Sequence, residues 1–153
     1  MGIVKAHRYE VRSRWLGGRR LALDAPDKPS LEVATPPDFK GGVHGVWSPE
    51  ELLVASLATC LELTAVAMAE HWGVPLRALD VVGTGELERR DGRFRFVVVE
   101  LDARVETDAG HEEEVEELVR LAETRCIVGE AVSTPVVLNV QVDVRDATGV
   151  AAA

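Results

Sequence analysis

Between Leu52 and Ala69 the chain is apolar almost without pause, and this stretch limits the possible folds more than any other feature. Its start is well marked. Ser48 suits an N-cap, Pro49 suits the first helical position, and Glu51 completes a capping box with Ser48. Glu50 and Glu51 also favour the positive end of a helix dipole. The spacing predicts a central helix over 48–72 that runs to about His71 and stops near Gly73 and Pro75. Its length approaches that of a membrane span. Ser56, Thr59, Glu62 and Thr64 interrupt the apolar run, however, which argues for a buried helix in a soluble protein rather than a membrane partner. Apolar residues on nearly all sides predict burial over most of its surface, between a sheet and a further protein layer.

On either side of this helix the chain reads as strands. Tyr9, Val11, Ser13 and Trp15 alternate with Glu10, Arg12 and Arg14, the pattern of a half-buried strand. Gly17-Gly18 marks a turn, Leu21 and Leu23 begin a second strand, and Leu31-Glu32-Val33 forms a third beyond Pro26 and Pro29. A glycine-rich loop with Gly41-Gly42 and Gly45 precedes the helix. After it come strands over 81–88 and 94–105, joined through Asp91-Gly92, a pair that tolerates the positive φ of a tight hairpin. A second helix follows over 112–125, with Val115, Leu118, Val119 and Ala122 on one stripe. Val136, Leu138, Val140, Val142 and Val144 alternate as a last strand, and the tail 149–153 reads as loose.

The order β-β-β-α-β-β-α-β defines an α+β fold with a largely antiparallel sheet. A chain of 153 residues is most simply one domain. Its N-terminal strands and loop occupy 1–46, the central helix 48–72, and the hairpin, second helix and last strand 80–146. Seventeen basic against twenty-six acidic residues leave a formal charge of −9, which repels phosphate backbones and excludes nucleic acid as an expected partner. The opening residues Met1 to Arg8 hold no apolar signal core, so the expected location is cytoplasmic. Thiols there stay reduced unless they cycle catalytically.

Only two cysteines exist, Cys60 within the apolar helix and Cys126 at the end of the second. Either can be a small buried hydrophobe, and burial leaves a thiol inert. A reactive Cys60 needs its thiolate stabilised, and an arginine held by a carboxylate is a natural means. Glu50 lies ten residues before Cys60, so along one straight helix their backbones stand about 15 Å apart, on different faces. If both serve one site, either the helix breaks or Glu50 comes from a second protomer. The large apolar face favours the second option, a homodimer with composite sites. Cys126 continues the inward stripe of the second helix, as a core residue would. It also precedes a short helix over 127–132 whose N-terminus would lower its pKa, and a sulfenic acid at Cys60 has no other thiol to resolve it. His7, His44, His71 and His111 lack metal-ligand spacing, with His44 notable for its place in the loop before Glu50.

Several of these segments together resemble the OsmC/Ohr superfamily, the osmotically inducible and organic hydroperoxide resistance proteins. Gly17-Gly18-Arg19 resembles its arginine turn and Ser48-Pro49-Glu50-Glu51-Leu52-Leu53 its Pro-Glu helix start. Ala58-Thr59-Cys60 resembles the peroxidatic cysteine, and Glu123-Thr124-Arg125-Cys126 the resolving region. The resemblance implies an intertwined α+β homodimer with sites at its interface and thiol-dependent reduction of organic hydroperoxides in oxidative stress defence. On that pattern Cys60 attacks the peroxide, Cys126 closes a disulfide with it, Arg19 stabilises the thiolate and Glu50 orients Arg19. An external dithiol or lipoyl group restores the enzyme, with no cofactor and no metal. Arg14 and Arg20 flank the arginine position as alternatives. Ile127-Val128-Gly129 stands where many members carry Pro-x-Ser, so the chain falls to an OsmC-like branch. The competing expectation is a dimeric binding protein for an apolar or thiol ligand, with both cysteines as packing residues.

Overall fold

The computed structural model describes residues 6–145, so the expected loose tail at 149–153 lies outside the described residues. The elements in order are β1 (Arg12–Gly17), β2 (Arg20–Asp24), β3 (Leu31–Ala34), α1 (Pro49–Trp72), β4 (Leu76–Arg90), β5 (Arg93–Thr107), α2 (Glu112–Thr124), α3 (Ile127–Ala131) and β6 (Val136–Val144). This is the α+β order read from the sequence, with the short helix α3 after Cys126. The described chain divides into two compact units, one ending at Leu52 and the other beginning at Leu53.

The first unit is built on the antiparallel sheet β1-β2-β3. Gly17 and Gly18 turn β1 into β2 with φ of 114° and 55°, values that suit residues without a Cβ. Trp47 bridges Val33 and accepts the Ala34 N–H at 2.8 Å, which fastens the loop before α1 to the sheet. One expectation fails here. The alternating segment around β1 is exposed rather than half-buried, with Tyr9 at 93 % and Trp15 at 71 %. Alternation shows that two faces differ; it does not supply the surface that covers the apolar one.

Helix α1 starts where its capping box says it should. The Ser48 N–H donates to Glu51 Oε2 at 2.8 Å, and the Glu51 N–H donates to Ser48 Oγ at 3.1 Å. It ends at Gly73, whose φ of 69° lets the Val74 N–H reach back to the Ala69 carbonyl at 3.0 Å. Burial is narrower than the all-round apolar pattern predicts. Leu57, Leu61, Ala65 and Met68 line one buried face, while Leu63 is 70 % exposed. The chain covers one side of this helix and leaves apolar surface on the other.

In the second unit, the buried face of α1 joins Val99, Leu101, Ala103 and Val105 of β5 and Val115, Leu118, Val119 and Ala122 of α2 in one core. Each such large aliphatic side chain contributes about 1.5–3 kcal/mol on burial. Gly83 and Gly85 of β4 allow the close approach of helix to sheet: a Cβ on either would stand 2.7 or 2.8 Å from the Val54 methyls. Strands β4 and β5 form a long antiparallel hairpin, and its turn residues Asp91 and Gly92 have φ of 49° and 77°. Both strands extend beyond the stretches read from sequence. The pairing is largely antiparallel, as expected, and the exception is β6, which pairs with β5 in parallel. The connection through α2 and α3 carries the chain back along the sheet, and a helical crossover of that kind delivers a parallel neighbour.

Candidate active site

Folding of the second unit brings Cys60 and Cys126 together. Cys60 is carried by α1, four residues before Thr64 on the same side. Cys126 stands at the junction of α2 and α3, where it continues the buried stripe of α2 and is 4 % exposed. It also N-caps α3, accepting the Gly129 N–H on its sulfur at 3.3 Å.

The two thiols lie near enough to affect each other's ionisation, and their pKa values move in opposite directions. Burial disfavours the Cys60 thiolate. Hydrogen bonds from the Cys126 thiol, the Val128 amide, the Thr64 hydroxyl and the Ile127 amide outweigh that cost and hold Cys60 below the ordinary thiol range. Cys126 moves the other way: burial, the hydrogen bond given to Cys60 and the charge on that sulfur push it up, against the pull of the Gly129 and Val128 amides. The expectation that α3 would acidify Cys126 is therefore overturned. The amides of α3 act on both sulfurs, but at Cys126 burial and the neighbouring Cys60 outweigh them.

Cys60 is half-buried and opens on a cleft of about 810 Å³, walled in part by Leu63, Met68, Ile127 and Val128. A thiol so placed is reachable and has a second thiol beside it. That arrangement can attack an electrophile and then exchange sulfur for sulfur.

Arg19 and Glu50 are brought together in the first unit, where both line a cavity of about 430 Å³. The Arg19 stem lies against Gly41; a Cβ there would stand 3.2 Å from Arg19 Cγ, and the φ of 79° disfavours other residues. Arg14 is paired with Asp24 at 3.6 Å and Arg20 with Glu32, so of the three candidates Arg19 faces the carboxylate's cavity. Glu50 Oε2 is buried and has no hydrogen-bond partner among the described residues. A buried carboxylate oxygen left so calls for a donor. His44 is exposed and lines no part of this cavity. The four sequence candidates thus fall into two pairs, one in each unit.

Three donors to Cys60 escaped the sequence reading. Thr64 was detectable, since a hydroxyl four residues along a helix lies beside the thiol. The amides of Ile127 and Val128 carry no residue-type signal and become visible only with the fold.

The α+β scaffold thus brings its two cysteines near one another, with Cys60 opening on a largely apolar cleft. The chain belongs to the OsmC-like protein family, which it matches over residues 42–141. That match includes Glu50, Cys60 and Cys126 and leaves Arg19 outside. The chain is similar to an OsmC-like protein from Vibrio cholerae at 18 % identity and a TM-score of 0.80, over 89 % of this chain and 100 % of that one. It is also similar to an organic hydroperoxide resistance protein OsmC from Legionella pneumophila, at 25 % identity and a TM-score of 0.71, over 90 % and 98 % of the two chains. Among curated proteins it is 22 % identical to YmaD of Bacillus subtilis across 91 % of this chain and 95 % of that one.

Proposed function

We propose that the protein is a cytoplasmic thiol peroxidase that reduces organic hydroperoxides to alcohols. The Cys60 thiolate attacks the distal peroxide oxygen. The O–O bond breaks, the alkoxide leaves and takes a proton, and Cys60 becomes a sulfenic acid. The Cys126 thiol then attacks the Cys60 sulfur, water departs, and a disulfide forms. An external dithiol, free or lipoyl, returns both thiols by exchange and is itself oxidised to a disulfide. The chemistry uses sulfur alone, without metal or flavin.

What supports this reading is the nearness of the two cysteines, Cys60 half-buried on an open cleft and Cys126 buried behind it, a placement that lowers the first thiol and raises the second. An attacking thiol must be ionised at neutral pH, whereas a resolving thiol need only be near. The name of the Legionella relative, an organic hydroperoxide resistance protein, points the same way.

In this reading Arg19 and Glu50 act on Cys60 across a homodimer. The orphaned Glu50 oxygen and the uncovered apolar surface of α1 and β1 support the second copy. Mixing Cys60→Ser chains with Glu50→Ala chains should restore about a quarter of wild-type activity, because half the dimers are mixed and each holds one intact site. No recovery would mean that each chain builds its own site. The reaction itself is tested by peroxide consumption with a dithiol donor. Wild type should turn over cumene hydroperoxide and Cys60→Ser should remain at the uncatalysed rate; equal rates would leave a binding protein instead.

A further inference from the structure

We infer that α3 is a redox-coupled element: the two cysteine sulfurs hold its first turn in the dithiol form and release it when they join. The inference rests on the disulfide step of the peroxidase reading and adds what that step does to the surrounding chain.

A helix of five residues has no stability of its own in water, because nucleation costs more than its few hydrogen bonds return. Packing adds little here. No side chain of α3 is buried, Ile127 is 81 % exposed, and Val128 is its one side chain packed on the core. Its support comes from Cys126. The Gly129 N–H donates to Cys126 Sγ at 3.3 Å, and the Glu130 N–H donates to the Cys126 carbonyl at 3.0 Å. The first N–H groups of a helix have no partner within it. In α3 they turn to sulfur: Gly129 to Cys126, while the amides of Val128 and Ile127 favour the Cys60 thiolate.

A disulfide undoes this arrangement. A sulfur–sulfur bond is far shorter than any contact between separate thiols, so one cysteine has to move. Cys60 sits within the 24-residue α1, between the fully buried Leu57 and Leu61 and the rest of the core helix. Cys126 stands at the joint between α2 and the five-residue α3. The displacement therefore falls on Cys126, whose sulfur turns from Gly129 toward Cys60. The Cys60 sulfur, once bonded, carries no charge to draw the Ile127 and Val128 amides. The first turn of α3 loses its acceptors together. Ile127 and Val128 also wall the Cys60 cleft, so that wall is ordered before oxidation and loosened after it.

The test compares backbone amide hydrogen exchange, read by NMR, in the full chain before and after treatment with diamide. Diamide takes two electrons and two protons from the thiol pair and leaves a disulfide and a hydrazine, so no peroxidase turnover is needed. The Gly129 and Glu130 amides should exchange roughly tenfold faster in the oxidised protein, with Leu61 of α1 unchanged. Cys126→Ala removes the cap without a crosslink and should speed α3 exchange on the order of fivefold in the reduced state. Cys126→Ser supplies a capping oxygen and should keep α3 protected, with or without diamide. Equal α3 exchange in the dithiol and disulfide forms, or wild-type protection in Cys126→Ala, overturns the inference and leaves the catalytic cycle standing. Both thiols surviving diamide would overturn the inference together with the resolving step. A loosened α3 in a protein that consumes no hydroperoxide would sink the peroxidase reading alone.

Discussion

Among the described residues, the unit that begins at Leu53 contains every member of the main hydrophobic cluster, from Leu57 of α1 to Ala122 of α2. The unit ending at Leu52 buries only Ala22, Val33 and Ala34 among its apolar side chains, and leaves Tyr9, Val11, Trp15 and Trp47 exposed. The thiols stand in the part with its own core. The Arg19–Glu50 pair stands in the part without one. Strand β1 of that part lies without a covering surface. In the proposed dimer the second copy supplies that surface, so assembly and completion of the site are one event.

The contrast is most open to attack through stability. Leu61 is fully buried in the core, and Leu61→Ala should cost about 2–5 kcal/mol in denaturant unfolding. Trp15→Ala should change the folding of a single chain by no more than about 0.5 kcal/mol. It should weaken self-association instead, seen by sedimentation. A Trp15 variant as damaging to the monomer as Leu61→Ala would erase the distinction between the units. Gly85→Ala probes the packing of α1 on β4: the added methyl meets Phe96 at 2.6 Å and Val54 at 2.8 Å, and should cost about 1–3 kcal/mol.

Smaller effects sharpen the account of the thiols. Thiolate reactivity rises with pH through the pKa of the attacking sulfur, so a lowered Cys60 gives an inflection below the ordinary thiol value. Cys126→Ala removes a hydrogen bond that favours the Cys60 thiolate. The inflection for iodoacetamide alkylation of Cys60 should move up, and the rate at neutral pH should fall. Gly129→Ala should do least. Its Cβ would lie at ordinary contact distance from Cys126, 3.4 Å to Cβ and 3.6 Å to Sγ, and a helical alanine gains at most about 1 kcal/mol over glycine.

Much of the fold was legible because its signals are local. The capping box at Ser48 and Glu51, the stop at Gly73 and the Asp91-Gly92 turn each depend on residues within a few positions. The period of α2 likewise placed Cys126 inward. What escaped depends on distant partners. Nothing within 136–144 tells which neighbour β6 will find, and the helices before it decide that. The exposure of Tyr9 and Trp15 depends on a covering surface that their own alternation cannot specify. The site divides the same way: the cysteines could be singled out by type and scarcity, and Arg19 was separated from Arg14 and Arg20 by the ion pairs that engage its neighbours and by the cavity it shares with Glu50. The α3 amides that favour the Cys60 thiolate belong to backbone, and backbone has no spelling in a sequence.

The most direct test counts thiols in the reduced protein before and after one equivalent of cumene hydroperoxide, with peptide mass mapping of the product. The account predicts that both thiols disappear together and that one Cys60–Cys126 disulfide forms within each chain. Retention of both thiols, or Cys60 advancing to a sulfinic acid while Cys126 stays reduced, would contradict it.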